Sequence, residues 1–409
     1  MITVEEARAT VLAGIGVLEP ERVSALESIG RVLAADIVSD IDVAPFDNSA
    51  MDGYAVRFAD VANASEDAPV RLRVVEHVPA GAFPAMPVGP GEATRIMTGA
   101  PVPEGADAVV MVERTAEEED GAVAVIMASV REGENIRRKA EDVRRGEVVL
   151  AAGEVVGPAA VGLLAAVGAA QPLVYRKPRV AIVATGDELV AIDEYPGPGK
   201  IRNSNSYSLA AQVLDAGGEP VVLDVARDNF DDTVAILSRA PEFDLMVSTG
   251  GVSMGDYDVV KDVLERIGTM DFWKVAMRPG APQTHGTIGG TPFFGLPGNP
   301  TSTMVGFELF VRPVVLKMAG HTALDRPRHT AVLAHDVKKK PDRRYFLRAR
   351  ATRQSDGTYV AALSGAQSSA MLTSMHHANC LLVLPEGESF FPAGATAECI
   401  RIDRKEGSE

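Results

Sequence analysis

Val247-Ser248-Thr249-Gly250-Gly251-Val252-Ser253 is an apolar strand pattern that ends in two adjacent glycines, and two similar turns follow it. Met277-Arg278-Pro279-Gly280-Ala281-Pro282 and Pro297-Gly298-Asn299-Pro300 also place Pro/Gly clusters at the ends of apolar runs. Such clusters fix the backbone where strands of an open α/β sheet meet their ligand, and glycine amides can approach an anion closely. Together the three turns indicate a phosphate-recognising site.

Strand and helix patterns alternate around these turns. In chain order they are Val180–Ala184, Tyr207–Leu214, Val221–Val225, Thr233–Leu237, Leu245–Ser248, Val259–Ile267, Phe272–Met277 and Pro300–Met318. This alternation implies right-handed crossovers. The predicted fold class is therefore multidomain α/β, built on a doubly wound, mostly parallel sheet that is covered on both faces.

The remaining chain differs in character from one part to the next. A capping box between Thr3 and Glu6 predicts a first helix, and the apolar spacing through Leu26 and Ile29 predicts a second helix after Pro20. Short strand patterns dominate the middle of the first half and the C-terminal part. We expect a helical linker and dimerisation domain at 1–45 and 141–176, a β-rich insertion at 46–140, the α/β domain at 177–325 and a small β domain at 326–409.

The bulk composition excludes several classes of protein. The 409 residues carry a formal net charge of −16, which argues against nucleic acid as the main partner. Cys380 and Cys399 are the only cysteines, so the sequence predicts no disulfide framework and no CxxC metal site. The seven histidines lack zinc-site spacing. We find no apolar run of about 18 residues and no signal peptide, and therefore expect a cytoplasmic protein without a membrane span.

Two of the loops have both a functional and a structural interpretation. In Thr185-Gly186-Asp187-Glu188 the carboxylates suit a hydrated Mg²⁺, and equally suit capping of the next helix. Asp256 and Asp258 follow Gly250-Gly251 at a predicted helix start, where acids favour the helix dipole even without a ligand. The glycine pair favours the functional interpretation, because glycine weakens a fold unless its backbone freedom is needed.

Three other polar stretches favour an ordinary structural interpretation over a functional one. Asn48–Ala55 and Arg95–Pro103 have the composition of surface turns. Asn135–Asp142 contains a basic run followed by two acids, which is typical of a solvated face but also fits an oxyanion clamp.

In combination, these stretches resemble the molybdopterin molybdotransferase family, which inserts molybdenum during molybdenum-cofactor synthesis and includes the gephyrin E domain. The matching stretches are Phe46–Val56, Arg95–Pro103, Asn135–Asp142, Thr185–Leu189, Ser248–Gly255 and Leu296–Pro300. The resemblance implies an elongated homodimer with an α/β domain that binds molybdopterin and a C-terminal β-barrel-like domain. It also implies the reaction: adenylylated molybdopterin and molybdate, with Mg²⁺, give molybdenum cofactor and AMP. Molybdopterin adenylyltransferase and downstream molybdoenzyme factors are the implied protein partners.

The resemblance also assigns roles to single residues. The implied catalytic residues are Asp52, Thr98, Asp142, Glu188, Asp228 and Asp258, and the implied metal ligands among them are Glu188, Asp228 and Asp258. The implied substrate-binding residues are Thr185, Gly186, Asp187, Asn205, Gly250, Gly251, Ser253, Arg278, Pro297, Gly298, Asn299, Pro300 and Ser369. Asp52, Thr98 and Asp142 match positions contributed across the dimer interface to the partner's pocket.

One loop departs from the family pattern. The family usually reads Lys-Pro-Gly-Lys-Pro where this chain has Arg278-Pro279-Gly280-Ala281-Pro282. Arg278 keeps a cation, whereas Ala281 removes one. A charge-assisted contact contributes about 1.5–3 kcal/mol, so affinity for molybdate or phosphate should fall more than tenfold without compensation. The candidates for compensation are Lys200, Arg202 and Lys274.

Two other functions remain open from the sequence. A catalytically weakened, gephyrin-like scaffold would use the same dimer to bind partner peptides. A molybdopterin adenylyltransferase would catalyse the preceding step with a related stand-alone α/β domain. Six polar acceptors around one cleft favour an enzyme over a scaffold, and the additional domains favour molybdenum insertion over adenylylation.

Overall fold

The computed structural model describes residues 1–227, 229–251 and 259–407, which form two compact units. Unit 1 consists of Met1–Val23, Gly30–Ala34 and Leu173–Glu409. Unit 2 consists of Ser24–Ile29 and Ala35–Pro172. Across the described ranges, no helix combines the length and the apolar composition that a membrane crossing requires.

A six-stranded sheet forms the centre of unit 1. Its strands, in spatial order, are Glu219–Val222, Arg179–Ala184, Leu245–Thr249, Thr291–Leu296, Pro282–Ile288 and Gly268–Lys274. The first four are mutually parallel, and Pro282–Ile288 runs antiparallel to both of its neighbours. The predicted mostly parallel α/β sheet is confirmed. The antiparallel hairpin at Gly289-Gly290, where both glycines have positive φ, was not predicted.

Helices cover both faces of this central sheet, because successive side chains along each strand point to opposite faces and both faces are apolar. Val180 and Ile182 belong to one core, and Ala181 and Val183 belong to the core on the opposite face. The first core includes residues of helices Val4–Ala13, Asn205–Asp215, Pro300–Gly306 and Arg312–Met318, the last two joined by a π-helical turn at Phe307–Val311. The second includes residues of helices Phe230–Leu237 and Val259–Ile267. Doubly wound packing is the result.

The order of the strands places a switch point at the sheet's carboxyl edge. From Arg179–Ala184 the chain passes to Glu219–Val222 on one side and then returns to Leu245–Thr249 on the other. Ligands of open α/β sheets bind outside the carboxyl ends of strands at such a point. The turns after Ala184, Thr249 and Leu296 all leave this edge, because their strands are parallel.

Five strands close into a small barrel in the C-terminal part of unit 1. They are Arg328–Leu333, Arg344–Arg353, Tyr359–Leu363, Cys380–Leu384 and Thr396–Arg401. The barrel closes because Arg344–Arg353 pairs with both Tyr359–Leu363 and Cys380–Leu384. This confirms the predicted C-terminal β-barrel-like domain. The barrel also carries the short helix Leu372–His376 and the strand pair Val337–Lys338 with Phe390–Phe391.

A two-residue strand connects the α/β domain to the barrel. Met277–Arg278 pairs in parallel with Arg344 and Tyr345 of the barrel. The loop that was predicted to bind a ligand therefore starts as an additional strand on the barrel. Other short pairs in unit 1 are Leu189–Val190 with Ile201–Arg202, and Pro20–Arg22 with Leu173–Tyr175.

Unit 2 is built around a second six-stranded sheet. Its strands, in spatial order, are Ala108–Met111, Gly53–Val56, Glu92–Ile96, Val70–Val78, Val123–Ile126 and Thr115–Glu118. Its other elements are helices Phe58–Val61 and Pro158–Ala166 and the strand pairs Asn48–Ser49 with Ile136–Arg137 and Ile37–Val38 with Val148–Leu150. The β-rich character of this region is confirmed. The surface-turn interpretation of Asn48–Ala55 is wrong where that stretch overlaps the buried strand Gly53–Val56, which pairs on both sides within the sheet.

The two N-terminal helix predictions had different outcomes. Helix Val4–Ala13 and its capping box at Thr3 are confirmed. The helix after Pro20 is wrong, because Ser24 and Glu27 close only a single turn (Ser24 N to Glu27 Oε2 3.1 Å, Glu27 N to Ser24 Oγ 3.2 Å). Leu26 is 74% exposed, so the apolar spacing has no buried face. A short helix needs such packing to persist.

Candidate functional site

A cleft of about 1060 Å³ lies in unit 1 at the carboxyl edge of the central sheet. Sheet turns, the Arg278–Pro282 loop and barrel residues form its walls. The lining residues are Thr185, Gly186, Glu188, Ile201, Gly250, Gly251, Met277, Arg278, Pro279, Gly280, Ala281, Pro282, Pro297, Gly298, Asn299, Ser302, Lys340, Asp342, Arg343, Gln367 and Ser369. The three turns that were predicted to form a phosphate-recognising site therefore line one cavity.

Glycine is required at positions 250 and 251 because the turn that contains them is in close contact with the turn at Thr185. Gly250 and Gly251 have φ of +91° and +64°, in the left-handed region that favours glycine. A Cβ at Gly250 would lie 2.5 Å from the carbonyl oxygen of Thr185. At Gly251 it would lie 2.9 Å from Thr185 Oγ1. The close approach leaves the glycine backbone, rather than side chains, to form this wall of the cleft.

Asn205 braces the turns from outside the cleft lining. Its Nδ2 donates to Thr249 Oγ1 at 2.9 Å and to the Gly298 carbonyl at 2.8 Å. The backbone N–H of Gly250 donates to the carbonyl of Leu296 at 3.1 Å. One amide group therefore sets the spacing of the two turns.

Several buried polar atoms at this edge have no hydrogen-bond partner within the described ranges. They are Thr185 Oγ1, Asn205 Oδ1 and Ser248 Oγ. An unsatisfied buried polar atom costs about 1–3 kcal/mol, so native proteins rarely leave such atoms in one place without a reason. Thr185 lines the cleft, and its hydroxyl could bind a polar ligand group there.

The helix that begins at Pro300 directs its N-terminus towards this edge. Asn299 is the N-cap residue and Pro300 occupies the first turn, where its missing N–H costs nothing. Thr301 donates its backbone N–H and its hydroxyl to the Ser369 carbonyl at 3.1 Å and 2.6 Å. The positive end of the helix dipole favours an anion here, and a barrel loop is fixed beside it.

The Arg278 loop is attached to the barrel through Tyr345. The Arg278 guanidinium carbon lies 5.5 Å from the Tyr345 ring centroid, and Lys339 Nζ lies 4.9 Å from the same centroid. Lys339 Nζ also donates to the carbonyls of Lys340 at 3.1 Å and Arg343 at 3.2 Å. One ring therefore supports two cations at the cleft margin.

Sequence reasoning missed the barrel's contribution of Lys340, Asp342 and Arg343 to the cleft. The run Lys338-Lys339-Lys340 was the available signal, since three lysines in succession mark a local positive charge in an acidic protein. A second cavity of about 670 Å³ adjoins the cleft and shares Arg278 and Lys340. The cations proposed to compensate for Ala281, namely Lys200, Arg202 and Lys274, are not in the lining of either cavity.

The predicted substrate-binding residues fall into three groups. Those that line the cleft are Thr185, Gly186, Gly250, Gly251, Arg278, Pro297, Gly298, Asn299 and Ser369. Asp187, Asn205 and Pro300 lie nearby without lining it; the Asp187 carbonyl accepts a hydrogen bond from Lys200 Nζ at 2.5 Å. Ser253 lies outside the described residues.

The predicted catalytic and metal-binding residues are more dispersed. Glu188 lines the cleft, where a Cβ at Gly186 would be 2.5 Å from its Oε2. Asp228 and Asp258 lie outside the described residues. Within residues 1–227, 229–251 and 259–407, no group of three or more acidic, histidine or cysteine side chains could hold a metal ion. A single carboxylate nevertheless fits Mg²⁺, which takes one or two carboxylates together with substrate phosphates and water.

Asp52, Thr98 and Asp142 belong to unit 2. Asp52 Oδ1 accepts hydrogen bonds from the Thr98 backbone at 2.7 Å and from its hydroxyl at 2.8 Å. These bonds lower the pKa of Asp52, the backbone N–H of Thr98 having the largest effect. Asp52 and Thr98 therefore act as one fixed pair with an ionised, exposed carboxylate.

Three family descriptions match successive parts of the chain. "MoeA N-terminal region (domain I and II)" matches residues 2–168, "Probable molybdopterin binding domain" matches 181–317, and "MoeA C-terminal region (domain IV)" matches 330–402. The cleft therefore lies between residues of the second and third matched segments.

Full-length relatives match as well. The molybdopterin molybdenumtransferase of Bacillus subtilis (strain 168) is 40% identical over 395 residues, which is 96% of this chain and 92% of the relative. That of Staphylococcus aureus (strain COL) is 38% identical and covers 94% of this chain and 91% of the relative. The crystal structure of a molybdopterin biosynthesis protein from Pyrococcus horikoshii has a TM-score of 0.81 and 34% identity, covering 98% of this chain and 99% of that one.

Proposed function

Because this chain belongs to the molybdopterin molybdenumtransferase family, we propose that it inserts molybdate into adenylylated molybdopterin, releasing AMP and giving molybdenum cofactor. One observation carries the proposal. The glycine turns, a helix N-terminus and the cations Arg278, Lys340 and Arg343 all line the same cleft, in the segment that matches a molybdopterin-binding domain and its neighbour. A doubly phosphorylated substrate and an oxyanion need that combination of donors.

The chain's own residues suggest a division of labour. The backbone N–H groups of Gly251 and Gly298 would hold the phosphate groups, since N–H groups approach an anion most closely where no side chain intervenes. The Gly250 N–H, which donates to the Leu296 carbonyl, would keep their turns in place. Arg278 would bind an oxyanion with two parallel hydrogen bonds. Asn205 would keep the turns at a fixed spacing and so orient the phosphoanhydride.

We propose Mg²⁺ as the cofactor, held by Glu188 together with Asp228, Asp258 and the substrate's phosphates. When bound, it would shield the charge of the phosphoanhydride and of the departing AMP. The Glu188 carboxylate at the cleft wall supports this assignment because it is the hard oxygen ligand that Mg²⁺ prefers.

We further propose a cytoplasmic homodimer in which Asp52, Thr98 and Asp142 serve the cleft of the partner subunit. Molybdopterin adenylyltransferase would supply the substrate, and downstream molybdoenzyme factors would receive the product. The division into domains at 1–45 with 141–176, 46–140, 177–325 and 326–409 also remains our proposal. Family membership supports these points.

The test is AMP release from adenylylated molybdopterin with Mg²⁺, followed with molybdate, with sulfate and with no added oxyanion. We expect release that depends on molybdate. Tight binding without turnover would instead indicate a scaffold. AMP-pterin formation from molybdopterin and ATP would indicate the adenylyltransferase. Sulfate controls for non-specific anion effects, because it has the same charge and shape.

A further inference from the structure

We propose that Lys340 is the oxyanion-binding cation of the barrel wall and supplies the charge that Ala281 does not. The inference rests on the proposed function and names a further binding residue for it. The ligand class is a tetrahedral oxyanion, either the free molybdate dianion or one of the two singly charged phosphates in the diphosphate of the adenylylated pterin. Lys340, Arg278 and Ala281 all line the same cleft.

Lys340 differs from its basic neighbours in what its side chain contacts. Lys339 Nζ is bonded to two carbonyls, and the Arg343 guanidinium pairs with Asp342 at 2.8 Å. Lys338 Nζ lies 6.0 Å from the Phe390 ring centroid. Lys340 is exposed, and its ammonium has no hydrogen bond or ion pair with the described part of the chain. Of the two cations that this turn places in the cleft lining, Arg343 is paired with Asp342, so Lys340 is the one available to an anion.

The backbone around Lys340 is fixed before any ligand arrives. Lys339 is only 9% exposed, and its ammonium bonds both the Lys340 and the Arg343 carbonyl, which closes the turn between them. The Lys340 N–H donates to the Tyr345 hydroxyl at 3.4 Å. Because the turn is ordered in advance, binding an anion requires only the Lys340 side chain to be immobilised.

Tyr345 also links this turn to the loop that contains Ala281. Its ring lies beneath Arg278, and its backbone is in register with Arg278. The barrel turn that contains Lys340 and the loop that contains Ala281 are therefore both held by contacts with Tyr345. In contrast, Arg202 Nε donates to the Glu194 carbonyl at 3.0 Å, and Lys200 to that of Asp187, so both serve their own loop.

The experiment compares full-length variants by calorimetric titration with molybdate, with inorganic phosphate and with adenylylated molybdopterin, at fixed ionic strength. We expect Lys340→Ala to weaken binding about tenfold in the arm whose anion Lys340 holds. Lys340→Arg should retain affinity within about threefold. Lys177→Ala is the matched control, because Lys177 is also exposed in unit 1 but lines neither cavity.

Adding Ala281→Lys to the Lys340→Ala protein is the decisive variant. We expect it to restore most of the lost affinity, because the second lysine returns a cation to the same cleft. A loss in the molybdate arm assigns Lys340 to molybdate, and a loss in the pterin arm assigns it to a phosphate. Both outcomes support the proposal.

Three results would overturn it: unchanged affinity of Lys340→Ala in every arm, an equal loss in Lys338→Ala, or no rescue by Ala281→Lys. Thermal melts of each variant check folding. If wild-type protein shows molybdate-dependent AMP release while Lys340→Ala binds normally, this inference fails and the proposed function stands. Absence of AMP release from the wild type would count against the function itself.

Discussion

Arg278 and Tyr345 are paired twice, once through the backbone and once through their side chains. The two residues are in register in a parallel strand pair, and the Arg278 guanidinium carbon lies 5.5 Å from the Tyr345 ring centroid. Lys339 Nζ is 4.9 Å from the same centroid. Each cation–π contact contributes about 0.5–1 kcal/mol at a solvent-accessible position. The charge distribution of the cleft therefore depends on an aromatic residue outside its lining.

Replacing Tyr345 by Leu should weaken binding of adenylylated molybdopterin. Both cation–π contacts are lost, so we expect Kd to rise about fivefold. Tyr345→Phe keeps the ring and should change Kd less than twofold. Titration calorimetry measures both, with thermal melts to correct for stability, since Tyr345 is buried. Equal effects of Leu and Phe would assign the role to the hydroxyl instead.

Gly250→Ala should reduce molybdate-dependent AMP release at least tenfold. The added Cβ would lie 2.5 Å from the Thr185 carbonyl, so the two turns must separate. Gly290→Ala is the matched control, because Gly290 has a similar φ of +88° but open space around its Cβ position. We expect Gly290→Ala to cost about 1 kcal/mol of stability and to keep its activity. Similar activity losses in both variants would show that backbone strain, not the contact with Thr185, matters.

Asp215→Asn should lower stability at neutral pH but much less in acid. Burial raises the pKa of Asp215, but a hydrogen bond from Lys405 and the charges of Arg312 and Arg326 outweigh it and bring the pKa from 3.8 to about 2. Because the folded-state pKa is the lower one, this stabilisation is present above about pH 4 and is lost as the pH falls towards 2. We expect a loss of about 1 kcal/mol at pH 7, a reduced figure because the side chain is 46% exposed.

Urea unfolding at pH 7 and near pH 3 measures that difference between the Asp215→Asn and wild-type proteins. Asp325→Asn is the comparison, since Asp325 pairs with Arg8 at 2.8 Å but is 61% exposed. We expect it to cost less than about 0.5 kcal/mol at either pH. A constant difference for Asp215→Asn across the range would contradict the assigned pKa shift.

Glu188→Gln should raise the Mg²⁺ concentration needed for half-maximal AMP release about tenfold. The substitution keeps the side-chain shape and removes the charge at the cleft wall. Asp187→Asn is the neighbouring control, because Asp187 does not line the cleft. Steady-state assays with varied Mg²⁺ measure the effect. If Asp187→Asn shifts the Mg²⁺ requirement and Glu188→Gln does not, the ligand assignment between the two acids is reversed.

The central sheet could be predicted well because its strands and turns are marked by residues that are adjacent in the sequence. Val180–Ala184 is a continuous apolar run, which is typical of a buried strand. Gly250 and Gly251 are adjacent glycines at the end of a strand, which indicates a turn that needs their backbone freedom. The error after Pro20 has a different origin. Leu26 and Ile29 have helical spacing, but whether such a stripe is buried depends on partners that lie elsewhere in the chain.

The barrel's share of the cleft could not be predicted for a related reason. Lys340 and Arg343 follow Ala281 by about 60 residues, and only the pairing of Arg278 with Tyr345 brings their turn to the same cavity. A two-residue strand carries almost no periodic signal. The run Lys338-Lys339-Lys340 could be recognised in the sequence, but its location beside the cleft could not.

The Met277–Arg278 strand has an evolutionary consequence. Its hydrogen bonds join it to the barrel, and the Arg278 guanidinium lies over the Tyr345 ring, so we expect the residues at positions 278 and 345 to change together. In an alignment of homologous sequences, we expect a cation at position 278, whether arginine or lysine, to occur together with an aromatic ring at position 345. A fragment that ends before the barrel would leave the Met277–Arg278 strand without its hydrogen-bonding partner. Gene fusion and fission should therefore avoid that junction.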